Sequence, residues 1–178
     1  MSICRRFASC FLPALCIAVL LLAPSAACAA TGANIFLGYS RTGNNTFSGN
    51  AGSLNGWDAS ACIRTGLLLG FEGDVSHYGL GTSSVVPRTT SVLFGPRLTL
   101  GTMGIQVFVH ALVGGEHSAN SSAPRISSGG LAYALGGGID LPISPFFAWR
   151  VEGDRISSTA SPANGTPARF STGLVFRF

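Results

Sequence analysis

The chain has 178 residues, of which only 10% are charged, with eleven Lys+Arg against seven Asp+Glu and a formal net charge of +4; its mean hydropathy is +0.43. Soluble domains usually carry about 25% charged residues, so this composition makes a poor water-facing surface. Beyond the N-terminal region no apolar run approaches the ~20 residues of a spanning helix, which excludes a helical membrane protein and leaves membrane strands, whose apolar residues are diluted by alternation.

Met1 to about Ala29 has a basic start (Arg5, Arg6), an apolar run from Phe11 to Leu22, and small residues leading to Ala27-Cys28-Ala29. That is the anatomy of a secretory signal peptide. The expected organisation is a removable signal over 1–29 and one domain over 30–178. The paired arginines lie in CRRFAS, which departs from a twin-arginine motif, and Ser25 stands where a lipoprotein signal before Cys28 wants Leu. Cys4, Cys10, Cys16 and Cys28 leave with the signal, so Cys62 remains alone and no internal disulfide is expected.

The remainder reads as alternating strands. The first, about Asn34 to Ser40, sets Ile35, Leu37 and Tyr39 against Phe36, Gly38 and Ser40; the polar segment RTGNNTFSGNAGSLNG follows as a long loop. The second, about Trp57 to Arg64, is separated from the third, Leu67 to Tyr78, by Thr65-Gly66, which suits a tight hairpin. After the long connection GLGTSSVVPR, strand four spans Thr90 to Leu100, with Pro96 predicting a bulge or local break because it removes a ladder donor. Strand five runs from Ile105 to Glu116, strand six from about Gly129 to Asp140, and strand seven from Phe146 to about Ser157. Long connections follow the odd-numbered strands and short ones the even-numbered strands. Tyr39, Trp57, Tyr78 and Tyr133 fall toward one rim, and Phe146, Trp149 and Phe178 toward the other, as two aromatic girdles.

The last strand, RFSTGLVFRF, puts Phe170, Thr172, Leu174, Phe176 and Phe178 on one face and Ser171, Gly173, Val175 and Arg177 on the other. An alternating strand ending on Phe resembles the C-terminal signature of bacterial outer-membrane barrels. With the signal peptide, about eight strands and four long loops, the chain resembles the OmpA-type barrel, in the small-barrel group of OmpX-like proteins. The resemblance implies an all-β fold, an eight-stranded antiparallel up-and-down transmembrane β-barrel in the outer membrane. It implies that Phe170, Leu174, Phe176 and Phe178 are read by the barrel-assembly machinery. It also implies a structural or surface-interaction role through four extracellular loops, with adhesion-type binding to a ligand the sequence does not identify. The peptidoglycan-binding domain of full-length OmpA proteins is not expected here, so tethering to the cell wall does not carry over.

Charge placement follows from the same alternation. Asp58, Glu72, Asp74, Glu116, Asp140, Glu152 and Asp154 share the non-oily face with Arg64, Arg97, Arg150 and Arg177. An eight-stranded interior is just wide enough for side chains to fill, and charges buried there must be paired. The expectation is a polar plug in which Arg97, Arg150 and His110 neutralise Glu72, Asp74 and Glu152. Arg41, Arg88, Arg125, Arg155 and Arg169 are expected in or beside the long loops, where guanidinium groups would meet phosphates of outer-membrane lipopolysaccharide. Three other readings remain open. One is a narrow gated channel through the same network. Another is a lipid-modifying enzyme drawing on His77, His110 or His117 with Ser76, Ser118 or Glu116; its weakness is that adjacent Ser76 and His77 point to opposite faces. The third is a soluble lipocalin-like carrier, which would turn its polar face outward. The preferred reading is non-enzymatic, with no cofactor, no metal-ligand spacing and no nucleic-acid partner.

Overall fold

The computed structural model describes residues 32–45, 52–65, 68–79, 88–102, 104–119, 127–159 and 168–178. The signal segment over 1–29, Arg125 and the central parts of the long connections lie outside the described residues. Eight strands follow one another: β1 (Gly32–Asn45), β2 (Gly52–Arg64), β3 (Leu69–Tyr78), β4 (Arg88–Thr102), β5 (Ile105–Ala119), β6 (Ser127–Pro142), β7 (Phe147–Ser158) and β8 (Ala168–Arg177). They form a closed barrel in sequence order. Every neighbouring pair is antiparallel, including the β1/β8 seam that runs from Asn34↔Arg177 to Thr42↔Arg169. Ala33 and Phe178 exchange backbone hydrogen bonds of 3.2 and 2.9 Å just beyond that seam. Closure leaves no strand edge unpaired, which a hydrocarbon environment demands.

The strand ends that lead into the connections 46–51, 79–87, 120–126 and 159–167 lie at one end of the barrel, and those that lead into the short connections 65–68, 103–104 and 143–146 at the other. Strands β1 and β2 extend further than their alternation indicates. The Gly/Asn/Ser segment expected as loop is paired through Thr42↔Leu54, with a register shift between Thr42 and Asn45. Polar side chains stop a strand from packing in hydrocarbon but not from continuing its ladder into water. At Pro96 the expected break is confined to one side: pairing with β3 is continuous, whereas pairing with β5 skips Gly95 and Pro96 and resumes at Arg97↔His110 without a change of register.

The side chains are partitioned inside out. Val92, Phe94, Leu98, Leu100, Val109, Leu131 and Leu135 are exposed on the outer surface, Phe94 by 64%. Alternate residues on the same strands, such as Ser91, Arg97, Thr99, His110 and Asp140, are buried in the lumen. A soluble carrier requires the reverse arrangement. Tyr39, Trp57 and Tyr133 lie outward toward the long-connection end, and Phe146, Trp149 and Phe178 outward toward the other. Tyr78 departs from the expected girdle: it is 3% exposed and its hydroxyl lies 3.0 Å from Ser40 Oγ inside the barrel. Its place two residues beyond Ser76 gives it the parity of the lumen, and a rim location does not change that.

Candidate functional site: an ion-paired lumen

The described lumen buries six carboxylates (Asp58, Glu72, Asp74, Asp140, Glu152, Asp154) with three guanidinium groups (Arg97, Arg150, Arg169) and one imidazole (His110). They arrive by strand parity from seven strands, β2 to β8, and the closed barrel brings them together. Arg97 donates from Nη1 to Glu72 Oε1 at 3.0 Å. Arg150 forks onto Asp140, Nε to Oδ1 at 2.7 Å and Nη2 to Oδ2 at 3.0 Å, the bidentate geometry that guanidinium favours. Its Nη1 reaches Ser60 Oγ at 3.3 Å, and Ser60 in turn donates to Glu72 Oε1 at 2.8 Å. The Arg97 and Arg150 guanidinium carbons lie 3.6 and 4.6 Å from the Phe108 ring centroid, and Arg150 also lies 4.9 Å from that of Phe36. The ring faces take up cationic surface that has no oxygen partner.

His110 stands between two acids, Nδ1 at 2.8 Å from Glu72 and Nε2 at 2.8 Å from Asp154. A carboxylate on each side uses both ring nitrogens as donors, as an imidazolium provides. His110 and Asp154 belong to strands on either side of β6 and both pair with Gly136. A Cβ at Gly136 would lie inside the Asp154 carboxylate, so the glycine is the space through which the two side chains meet. Gly136→Val is therefore expected to separate them and lower the urea midpoint of the refolded barrel, whereas Gly115→Ala, where an added Cβ meets nothing within 4 Å, leaves it unchanged.

Arg169 corrects the expected loop cluster. It is 1% exposed and is the most heavily engaged cation of the described lumen. Nε donates to Asp154 at 2.6 Å, Nη1 and Nη2 grip Asp74 at 2.9 and 3.1 Å, and Nη2 comes within 3.4 Å of Glu152. Asp74 is accordingly held by Arg169 and not by Arg97 or Arg150. The signal was present in the chain: Arg169 precedes outward Phe170 and has the inward parity of Ser171. Asp58, Asp140 and Asp154, placed on the inner face by alternation but not assigned to the network, are full members of it.

Of the remaining loop arginines, Arg41 and Arg155 are exposed on β1 and β7, and Arg88 is exposed at the start of β4. All three lie toward the long-connection end. Phe170, Leu174 and Phe176 face outward on β8, and Phe178 follows them, also exposed. His77 is hydrogen-bonded to Thr90 at 2.8 Å on the outer side, while its neighbour Ser76 bonds Ser91 at 2.7 Å within the lumen. The two cannot act as a nucleophile and base. Cys62 is a buried free thiol.

A closed antiparallel barrel, apolar without and ion-paired within, defines a transmembrane β-barrel of the outer-membrane type. Solved structures share this fold. The Neisserial surface protein A, NspA, aligns with a TM-score of 0.64 at 12% identity, covering 83% of this chain and 96% of that one. The outer membrane protein OprG of Pseudomonas aeruginosa aligns at 0.58 and 13% identity, covering 84% and 96%. The attachment invasion locus protein Ail of Yersinia pestis, in its complex with the heparin analogue sucrose octasulfate, aligns at 0.55 and 17% identity, covering 83% and 97%. No protein-family model matches the chain, and no curated protein matches it in sequence. The likeness is one of architecture, and agrees with the OmpA-type barrel that the sequence resembles.

Proposed function

We propose that this protein is an integral barrel of the bacterial outer membrane, closed through its lumen by ion pairs, with a structural or surface-interaction role carried by the connections 46–51, 79–87, 120–126 and 159–167. The partition of side chains is the observation that supports this reading most directly: hydrocarbon tolerates the outer face, and no soluble environment favours it. Outer-membrane barrels have short periplasmic turns and longer external loops, so the four long connections are assigned to the cell exterior. Purified protein is expected to need detergent or lipid and to migrate differently in gels before and after boiling; a water-soluble product with one unchanging band overturns the reading. In liposomes it is expected to give no steady conductance.

Arg41, Arg88 and Arg155 would meet outer-leaflet glycolipid phosphates, as guanidinium groups bind phosphate bidentately. The sulfated analogue bound to the Ail barrel is an anion of comparable chemistry on a comparable scaffold. Converting the three arginines to Gln is expected to weaken binding to lipopolysaccharide several-fold without lowering stability; unaltered binding removes the idea. A narrow gated path is the second reading, favoured by one detail. Arg150 Nη1 lies 3.5 Å from Glu72 and 3.6 Å from Glu152, so alternative acceptors are within a rotamer change of Asp140. Asp140→Asn is expected to produce brief openings in planar bilayers if that exchange occurs, and none if the network only fills space.

A further inference from the structure

Two lumen-facing arginines outside the ion-paired network stand together at the mouth bordered by the short connections. Arg64 ends β2 and Arg177 ends β8. Strand β1 lies between them, with Gly32 paired to Arg64 and Asn34 to Arg177, so both side chains leave on the face that buries Asn34. The Arg64 guanidinium lies over Gly32, in the space that a side chain there would fill. Arg177 donates from Nη1 to the carbonyl of Gly104, in the β4/β5 connection, at 3.3 Å.

The other nitrogens of this pair are not matched. Among the described residues, Arg177 Nε, Arg177 Nη2 and Arg64 Nε are buried atoms without a hydrogen-bond partner. Asp140, two residues before the end of β6, is the lumenal acid whose charge reaches Arg177, and both of its oxygens are already held. Arg150 takes them with Nε and Nη2 at 2.7 and 3.0 Å, and Arg97 Nη2 approaches Oδ2 at 3.5 Å. Asn34 adds an amide to the same face; it is 4% exposed and its Oδ1 is buried without a partner. Such an amide can turn to present N–H groups as readily as its oxygen.

Nε and Nη2 form one edge of a guanidinium, two parallel N–H groups that fit two oxygens of a single oxyanion. Arg150 uses that edge to fork onto Asp140. On Arg177 the same edge is buried with no acid of the described lumen against it. A tetrahedral phosphate group can accept this fork and still offer an oxygen to a second guanidinium, which suits the neighbouring Arg64.

The geometry points to a phosphate-binding site at this mouth, in which the Nε/Nη2 edge of Arg177 forks two oxygens of the group and Arg64 Nε donates to another. With the long connections assigned to the cell exterior, the mouth opens to the periplasm. The phosphate would then come from that solution or from a phospholipid headgroup of the inner leaflet. Its source rests on the orientation proposed above, whereas the site itself does not.

The test uses the full barrel refolded in maltoside micelles, in an Arg41→Gln/Arg88→Gln/Arg155→Gln background. That background removes the phosphate contacts proposed for the opposite rim, so failure here is distinct from failure there. Native mass spectrometry counts what remains bound when inorganic phosphate or dioleoylphosphatidylglycerol is added alone. The expected result is one phosphate group per chain, with a urea midpoint that rises in phosphate but not in chloride of equal ionic strength. Arg177→Lys, which keeps the charge but loses the fork, is expected to bind about tenfold more weakly or worse, and Arg64→Gln several-fold more weakly. Retention of inorganic phosphate assigns the free ion, and retention of the phospholipid alone assigns the headgroup. No retention of either, or equal retention by both variants, overturns the site. If Arg177→Lys fails to refold, Arg64→Gln decides alone, and unaltered binding by it is the overturning result.

Discussion

Arg169→Ala is expected to destabilise the barrel more than any other single change in the lumen, by about 3–5 kcal/mol, as breaking a buried ion pair from one side typically does. The side chain removed holds both oxygens of Asp74 and one of Asp154, and stands within 3.7 Å of Asp58. Without it these acids face one another across the lumen with His110 as the nearest remaining cation of that group. Urea titration of the protein in lipid vesicles, read by the fraction migrating in the compact form without boiling, measures the loss. Arg88→Ala, on the exposed rim, is the control and should move the midpoint by no more than about 0.5 kcal/mol. Asp74→Asn placed in the Arg169→Ala background should recover part of the loss, because it removes one of the stranded charges. A midpoint for Arg169→Ala equal to that of the parent would refute the ion-paired lumen.

The second large effect is expected at an exposed position. Phe94 lies midway along β4, is 64% exposed, and pairs with Gly73 and Val113. In a soluble protein, substituting so open a side chain changes stability by about 0.5 kcal/mol or less. On the hydrocarbon face of a barrel an arginine at mid-depth costs about 2–4 kcal/mol. Phe94→Arg should therefore lower the unfolding free energy by that amount in lipid vesicles, while Phe94→Leu should be nearly neutral. The contrast tests the membrane reading itself, since exposure and sensitivity run together only where the surrounding solvent is oil.

These two residues also show what alternation alone makes legible. The outward setting of Phe94 follows from its parity with Val92 and Leu98, and the same rule places the strands, their number and all six buried acids on the correct face. Arg169 and Tyr78 are the failures, and both come from letting proximity to a polar connection outweigh parity. A strand in water-facing territory keeps its two-residue period, so a side chain at the rim still points inward or outward by count. Partner choice was less accessible. That His110 meets Asp154 depends on the β5/β6/β7 register, His110↔Gly136↔Asp154, which no local pattern encodes. The grip of Arg169 on Asp74 spans 95 residues of sequence, and it exists only because closure places β8 opposite β3.

That span has a kinetic corollary. β3 carries Glu72 and Asp74, and their cationic neighbours come from β4, β5, β7 and β8. A hairpin that carries β3 into lipid ahead of β8 would bring Asp74 across an oily barrier without Arg169, so inserting it alone is disfavoured. Insertion of β3 is then expected to be coupled to closure of the barrel against β8, which refolding into lipid vesicles would read as a single cooperative phase.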